Sequence, residues 1–246
     1  MQSLVGIESI NDFGDENYPK TLIDDNSVDT KTIEKIECKD IYFEYSPESS
    51  IVKSFSFTFK KGDKVFIEGE NGSGKSTILK LISGLYNPTH GEIFINDIKN
   101  NKQDFREYIC MTGPEDRLIN GTLEENLTLG KYIPKETLVN ILKELNIYDL
   151  FFNDRNGLQT PLSNTDLGLS TGQKNRVLLA RALASDADFL LLDEIFQNLD
   201  EETKEIISNV INSIDDKIVI FTSHEKNKIS FNVNLKLTNK EVKIIV

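Results

Sequence analysis

Residues Gly69-Glu70-Asn71-Gly72-Ser73-Gly74-Lys75-Ser76-Thr77 satisfy every fixed position of the pattern G-x-x-x-x-G-K-[ST]. Glycines in such a run let successive backbone N–H groups turn toward one anion, a lysine adds a mobile positive charge, and the following hydroxyl can ligate magnesium. The chemistry is nucleotide phosphate binding, with Asn71, Gly72, Ser73, Gly74, Lys75, Ser76 and Thr77 as contacts. A ligand-free glycine turn would need neither the lysine nor the hydroxyl. Two acids form the second group: Phe189-Leu190-Leu191-Leu192 is a wholly apolar run that ends in Asp193-Glu194. If alternation continues past the strand end, the two carboxylates point to opposite sides, one free to hold a magnesium shell and the other to meet attacking water. The third group is Ser170-Thr171-Gly172-Gln173, where Ser170 can cap a helix and Gly172 lets backbone N–H groups approach a second phosphate.

The elements that must hold these groups are legible around them. Lys64 to Ile67 reads as a short strand and Ile78 to Ile82 has helical spacing, so the glycine loop joins a strand to a helix, the context its motif requires. Ile36 to Phe43 and Val52 to Phe59 read as antiparallel strands, with Tyr45 in the turn between them. Glu92 to Asn96 and Arg106 to Met111 are further strands. Thr122-Leu123-Glu124-Glu125 is a capping box, and Leu138, Ile141, Leu142 and Leu145 keep helical spacing, so residues from about 115 to 172 predict a smaller helical subdomain. Glu201 to Ile214 is an amphipathic helix, Lys217 to Phe221 a buried strand, and residues 234–244 a hairpin. The predicted fold class is α/β: a nucleotide-binding core with a mainly parallel sheet, an antiparallel β-subdomain and the helical subdomain.

Composition narrows the partners. Across 246 residues, 28 Lys and Arg stand against 40 Asp and Glu, and a formal net charge of -12 repels a nucleic-acid backbone. No apolar run reaches the roughly 20 residues that span a bilayer, and no secretory leader is evident at the start, so the chain as given reads as soluble and intracellular. Cys38 and Cys110 lie in unrelated strand-like runs and read as reduced core residues. Residues 1–32 begin with an amphipathic piece and pass into an acidic, turn-rich stretch, the look of a connector.

Taken together, Gly69 to Thr77, Leu169-Ser170-Thr171-Gly172-Gln173 and Asp193-Glu194 resemble the nucleotide-binding domain of ATP-binding cassette (ABC) transporters, over roughly residues 33–246. The resemblance is to the exporter type, and to bacterial peptide exporters within it. It implies ATP and Mg2+ as cofactors, Tyr45 stacking on the base, Ser76 and Asp193 at magnesium, Glu194 as catalytic carboxylate and His224 as the histidine bridging γ-phosphate and water. It also implies that Ser170, Thr171, Gly172, Gln173 and Asp200 meet a nucleotide held by a second copy, in a head-to-tail homodimer. Residues 1–32 would then link to an upstream transmembrane domain, placing the chain at the cytoplasmic face of a membrane.

Departures from that pattern matter. Aligning Gly121-Thr122-Leu123-Glu124-Glu125-Asn126 puts Pro114 where a metal-contacting glutamine is expected, with Glu115 beside it, and Thr171 replaces a glycine. Two functions follow as expectations: an ATPase that powers export, or a dimerisation switch that closes on ATP with little turnover. A chromosome-maintenance or DNA-repair ATPase would need a long coiled coil, for which the helical insertion is too modest.

Overall fold

The computed structural model describes residues 32–47, 49–99, 108–153, 155–163, 168–223 and 228–245. The expected connector before residue 32, Arg106 and His224 lie outside the described residues.

β1 (Lys35–Glu44) and β2 (Ser50–Lys60) pair antiparallel, with Ile36 opposite Phe59 and Cys38 opposite Phe57. β3 (Lys64–Gly69) runs through the glycine loop into α1 (Lys75–Ile82). β4 (His90–Ile95) and β5 (Ile98–Lys99) form a two-residue hairpin at Asn96-Asp97, whose φ values of 48 and 69° match the primed turns that suit strand twist. β6 (Ile109–Thr112) follows, shorter than the sequence suggests.

The expected helical subdomain contains β7 (Gly121–Thr122), α2 (Leu123–Thr128), α3 (Lys135–Glu144), α4 (Tyr148–Phe152), a 3-10 turn at Gly157–Gln159 and β8 (Pro161–Leu162). β7 and β8 make a two-stranded sheet that sequence reading missed, because two-residue strands carry no periodicity. Thr122 caps α2 in a full capping box with Glu125. α5 (Thr171–Ala184), β9 (Phe189–Leu192), α6 (Glu201–Asn212), β10 (Ile218–Thr222), β11 (Val233–Thr238) and β12 (Glu241–Ile245) complete the chain.

Ten strands form one sheet in the order β5-β4-β1-β2-β12-β11-β3-β10-β9-β6. From β11 to β6 every neighbour is parallel. The closing hairpin, legible as a local pair, has a wider role: β11 lies parallel to β3 while β12 touches β2 at Glu241 opposite Lys53, so it joins the antiparallel half to the parallel half.

Period-two alternation builds two cores, one on each face of the parallel strands. Val65, Ile67, Phe189, Leu191, Ile218 and Ile220 pack with α1 and β1. Phe66, Leu190, Leu192, Val219 and Phe221 pack on the other face with α2 to α6. Both faces of β9 and β10 are buried, which is why their sequences are continuously apolar. The glycine loop and the two acids therefore emerge from the carboxyl ends of β3 and β9, the two strands that flank β10 in the most buried part of the sheet.

Candidate functional site

β3 delivers the loop and α1 receives it. Gly72 and Gly74 have φ of 73 and 111°, and a Cβ on Gly74 would stand 2.6 Å from Ile51 Cγ2, so that turn needs glycine. Gly74 is the N-cap of α1, no side chain caps that end, and no acid occupies its first turn. The N-terminus is left to an anion. Lys75 folds back over the loop and is only 4% exposed; its Nζ donates to Gly69 O at 3.0 Å and Glu70 O at 3.1 Å. Burial lowers its pKa, an effect countered by the charges of Glu194 and Asp193. The Ser73 hydroxyl is buried with no hydrogen-bond partner among the described residues. A buried ammonium resting on neutral carbonyls, an orphaned hydroxyl and an uncapped helix end all fit the oxygens of a polyphosphate.

Ser76, half-buried, is the second residue of α1. Thr77 is buried, and its hydroxyl lies 3.0 Å from Tyr45 Oη. Tyr45 itself is 55% exposed and is braced edge-on by Phe43 and Tyr86, with ring centroids 5.0 and 5.8 Å away. An aromatic ring is thus tethered to the phosphate-loop helix with surface left open. Phe43 and Tyr86, stacked 5.4 Å apart, are supports that sequence reading overlooked.

Asp193 is 5% exposed, and its backbone N–H donates to Thr112 O at 2.8 Å. The alternation expected of Asp193 and Glu194 does not hold. β9 ends at Leu192, and Glu194 takes φ of 49° and opens a turn closed by the Gln197 N–H donating to its carbonyl at 3.0 Å. Glu194 thus lies outside the pleated backbone that the alternation assumes.

Ser170 caps α5 in a reciprocal box: its Oγ accepts from Gln173 N at 3.2 Å, and Gln173 Oε1 accepts from Ser170 N at 2.9 Å. Thr171 is exposed, and a Cβ on Gly172 would lie 3.0 Å from Thr203 Oγ1. This turn is packed against the start of α6, where Asp200 caps the helix by accepting from Thr203 N at 2.8 Å and Thr203 Oγ1 at 3.0 Å. Those two bonds, the backbone one foremost, lower the Asp200 pKa. The charges of Asp193 and Glu194 act on Lys75, while Gly172 packs on Thr203 and Asp200, and Thr171 lines the same cavity as Glu194.

Pro114 and Glu115 are exposed. Gly113 presses on Asp193, since a Cβ there would be 3.1 Å from Asp193 Cβ. Asp116, not Glu115, turns inward: its Oδ2 accepts from Gly113 N at 3.0 Å, and it lines a cavity of about 230 Å3 with Pro114, Thr171, Lys174 and Glu194. The sequence held no signal to choose between the neighbouring acids. Among the described residues no cluster of three or more His, Cys, Asp or Glu side chains could hold a metal by itself. One carboxylate and one hydroxyl, Asp193 and Ser76, suit magnesium, which keeps waters and shares phosphate oxygens.

A family model described as ABC transporter matches residues 52–197. A probable ABC transporter ATP-binding/permease protein of Haemophilus influenzae is 32% identical over 207 residues, 82% of this chain and 37% of that protein. The ABC multidrug transporter mdr1 of Aspergillus fumigatus is 33% identical over 187 residues, 73% of this chain and 14% of that protein. The sublancin-168-processing and transport ATP-binding protein SunT of Bacillus subtilis is 28% identical over 240 residues, 96% of this chain and 34% of that protein. A solved bacterial Atm1-family ABC exporter with ATP bound superposes with a TM-score of 0.78 at 25% identity, over 85% of this chain and 38% of that one. The chain therefore spans between 14 and 37% of the length of these curated relatives. No helix among the described residues is long and apolar enough to cross a membrane.

Proposed function

The chain belongs to the ABC transporter family as its nucleotide-binding domain, and from that premise we propose that it binds and hydrolyses ATP in a head-to-tail homodimer that powers substrate export. The observation that carries this is Lys75: a buried ammonium in a glycine loop, with the charges of Asp193 and Glu194 acting on it. The loop amides and Lys75 bind the phosphates, Tyr45 offers its ring to the base, and Ser76 with Asp193 would hold magnesium. When bound, that ion neutralises charge building on the transferring phosphoryl group. Glu194 orients the attacking water and takes its proton. His224 supports the γ-phosphate side.

The Ser170 to Gln173 turn caps its own helix and packs against Thr203 and Asp200, and we read it as meeting a nucleotide held by the second copy. Residues 1–32 serve as the link from a transmembrane domain, residues 33–246 form the nucleotide-binding domain, and residues from about 115 to 172 make its helical subdomain. The assembly then works at the cytoplasmic face of the membrane. SunT, matched over 96% of this chain, is named for processing and transport of sublancin-168, and that likeness supports our preference for a peptide cargo.

A second reading has its own support, since Pro114 offers no side-chain oxygen where one is expected: ATP drives closure with little turnover. Turnover measured against protein concentration separates the two. A quadratic rise supports dimer catalysis; ATP-dependent dimerisation with negligible phosphate release supports the switch.

A further inference from the structure

We infer that Thr222 is a positioning residue of the hydrolytic site, setting Asp193 and Glu194 together through one hydroxyl; the inference rests on the ATPase reading above. Thr222 closes β10, and the parallel register that pairs Phe221 with Leu192 brings it beside the two acids as they leave β9. It is fully buried at 0% exposure, the polar end of a strand otherwise made of Ile218, Val219, Ile220 and Phe221. A hydroxyl in such a place must find its partners inside the protein. Both lie at the site: Oγ1 donates to Asp193 Oδ1 at 2.7 Å and accepts from the Glu194 N–H at 2.9 Å.

The two bonds do different things. A hydroxyl carries a single proton, and with a lone pair occupied by the Glu194 N–H that proton is directed to Asp193 Oδ1. One carboxylate oxygen is thereby fixed, and Oδ2 is the oxygen left for a magnesium shell. The second bond holds the Glu194 backbone in its left-handed turn, φ 49°, a conformation disfavoured for a residue with a Cβ and kept only where surrounding bonds enforce it. Thr112, whose carbonyl accepts the Asp193 N–H from the opposite strand, completes the clamp. Metal-side oxygen and water-side carboxylate are set from the same atom, so their spacing is controlled by a group that touches neither metal nor water.

The test compares Thr222→Val, which keeps the shape and removes the hydroxyl, with Thr222→Ser, which keeps the hydroxyl. Mn2+ affinity is read by paramagnetic resonance with a saturating non-hydrolysable ATP analogue, beside kcat and metal-free nucleotide affinity. Outer-shell partners of metal ligands are worth roughly 10- to 100-fold, so Thr222→Val should weaken Mn2+ binding by at least about tenfold and lower kcat similarly. Metal-free nucleotide affinity should stay within about twofold, and Thr222→Ser should restore Mn2+ binding to within about threefold of the parent. Should Thr222→Val fail to fold, Thr222→Cys replaces it, because a thiol of serine-like size is a weak hydrogen-bonding group and should show the valine losses. Parent-like Mn2+ binding without the hydroxyl, or valine-like loss in the serine variant, overturns the inference while leaving the ATPase reading intact. A parent chain that binds no ATP analogue overturns the ATPase reading itself.

Discussion

Arg181 on α5 and Asn126 on α2 are joined by two hydrogen bonds, Nη2 to Asn126 Oδ1 at 2.9 Å and Nε to Asn126 O at 2.8 Å. Asn126 is fully buried, and its amide donates to Ile119 O and Thr122 O. Arg181 Nη1 also reaches Arg117 O at 3.1 Å, so the loop leaving Pro114 is fastened to the helix that Ser170 caps. Burial lowers the Arg181 pKa, yet a guanidinium stays charged in any working buffer.

Arg181→Ala should therefore destabilise the fold by about 2–4 kcal/mol, since three bonds from the guanidinium are lost, although Asn126 Oδ1 keeps the Ile119 N–H. Urea unfolding followed by circular dichroism measures it. Nucleotide affinity should change far less than stability, because neither Arg181 nor Asn126 is in the phosphate loop.

The phosphate loop, the acidic pair and the capped turn at Ser170 were legible because each is a local pattern whose meaning is fixed by backbone chemistry within a few residues. The alternation argument for Asp193 and Glu194 failed because nothing in a four-residue apolar run announces where the strand ends. Thr222 carried a faint signal, a hydroxyl ending an apolar run, but its partners lie 28 and 29 residues away and only the parallel register brings them close. Arg181 and Asn126, 55 residues apart, carried none. The join made by β12 was equally hidden, since one rung at Glu241 and Lys53 leaves no trace in either strand's pattern.

Lys75→Ala should remove the one buried ammonium of the phosphate loop. Charge-assisted bonds are worth about 1.5–3 kcal/mol, so nucleotide affinity should fall roughly 10- to 100-fold. Titration with a fluorescent ATP analogue reads this directly; unchanged affinity would place the phosphates elsewhere.

Glu194→Gln keeps the shape of the side chain and removes its charge and proton acceptance. Loss of a general base costs typically 10²- to 10⁴-fold, so hydrolysis should drop by at least about 100-fold with ATP binding retained. Size exclusion in Mg-ATP should then show a dimer that the parent does not accumulate.

Pro114→Gln should lower the magnesium concentration for half-maximal turnover, by about threefold or more, because it restores a side-chain oxygen beside Asp193. Proline fixes its own φ and biases Gly113 toward extended backbone, so the variant loop should also become more accessible to proteolysis. Asp116→Ala, which removes the acceptor for Gly113 N–H, should raise the magnesium requirement, and Glu115→Ala, on the exposed side, should not. A raised requirement in Glu115→Ala alone would move the functional position by one residue.

Cys38 is 2% exposed, and burial, with a lesser push from Glu37, raises its thiol pKa to about 12. The thiolate is the reactive form, so Cys38 should resist alkylation at pH 8 in the native state and react once urea is added. Peptide mass spectrometry of iodoacetamide-treated protein reads the outcome. Labelling of Cys38 in the folded state would mean that β1 opens locally.

β3 has both of its neighbours, β10 and β11, from residues 218–238. During synthesis the strand that carries the glycine loop stands without a partner on either side until some 150 residues later have left the ribosome. At about 5–20 residues per second that interval is roughly ten to thirty seconds. The glycine loop consequently lacks its rigid support until β10 and β11 have emerged, and the two apolar edges of β3 are a stretch for chaperones to shield in the meantime.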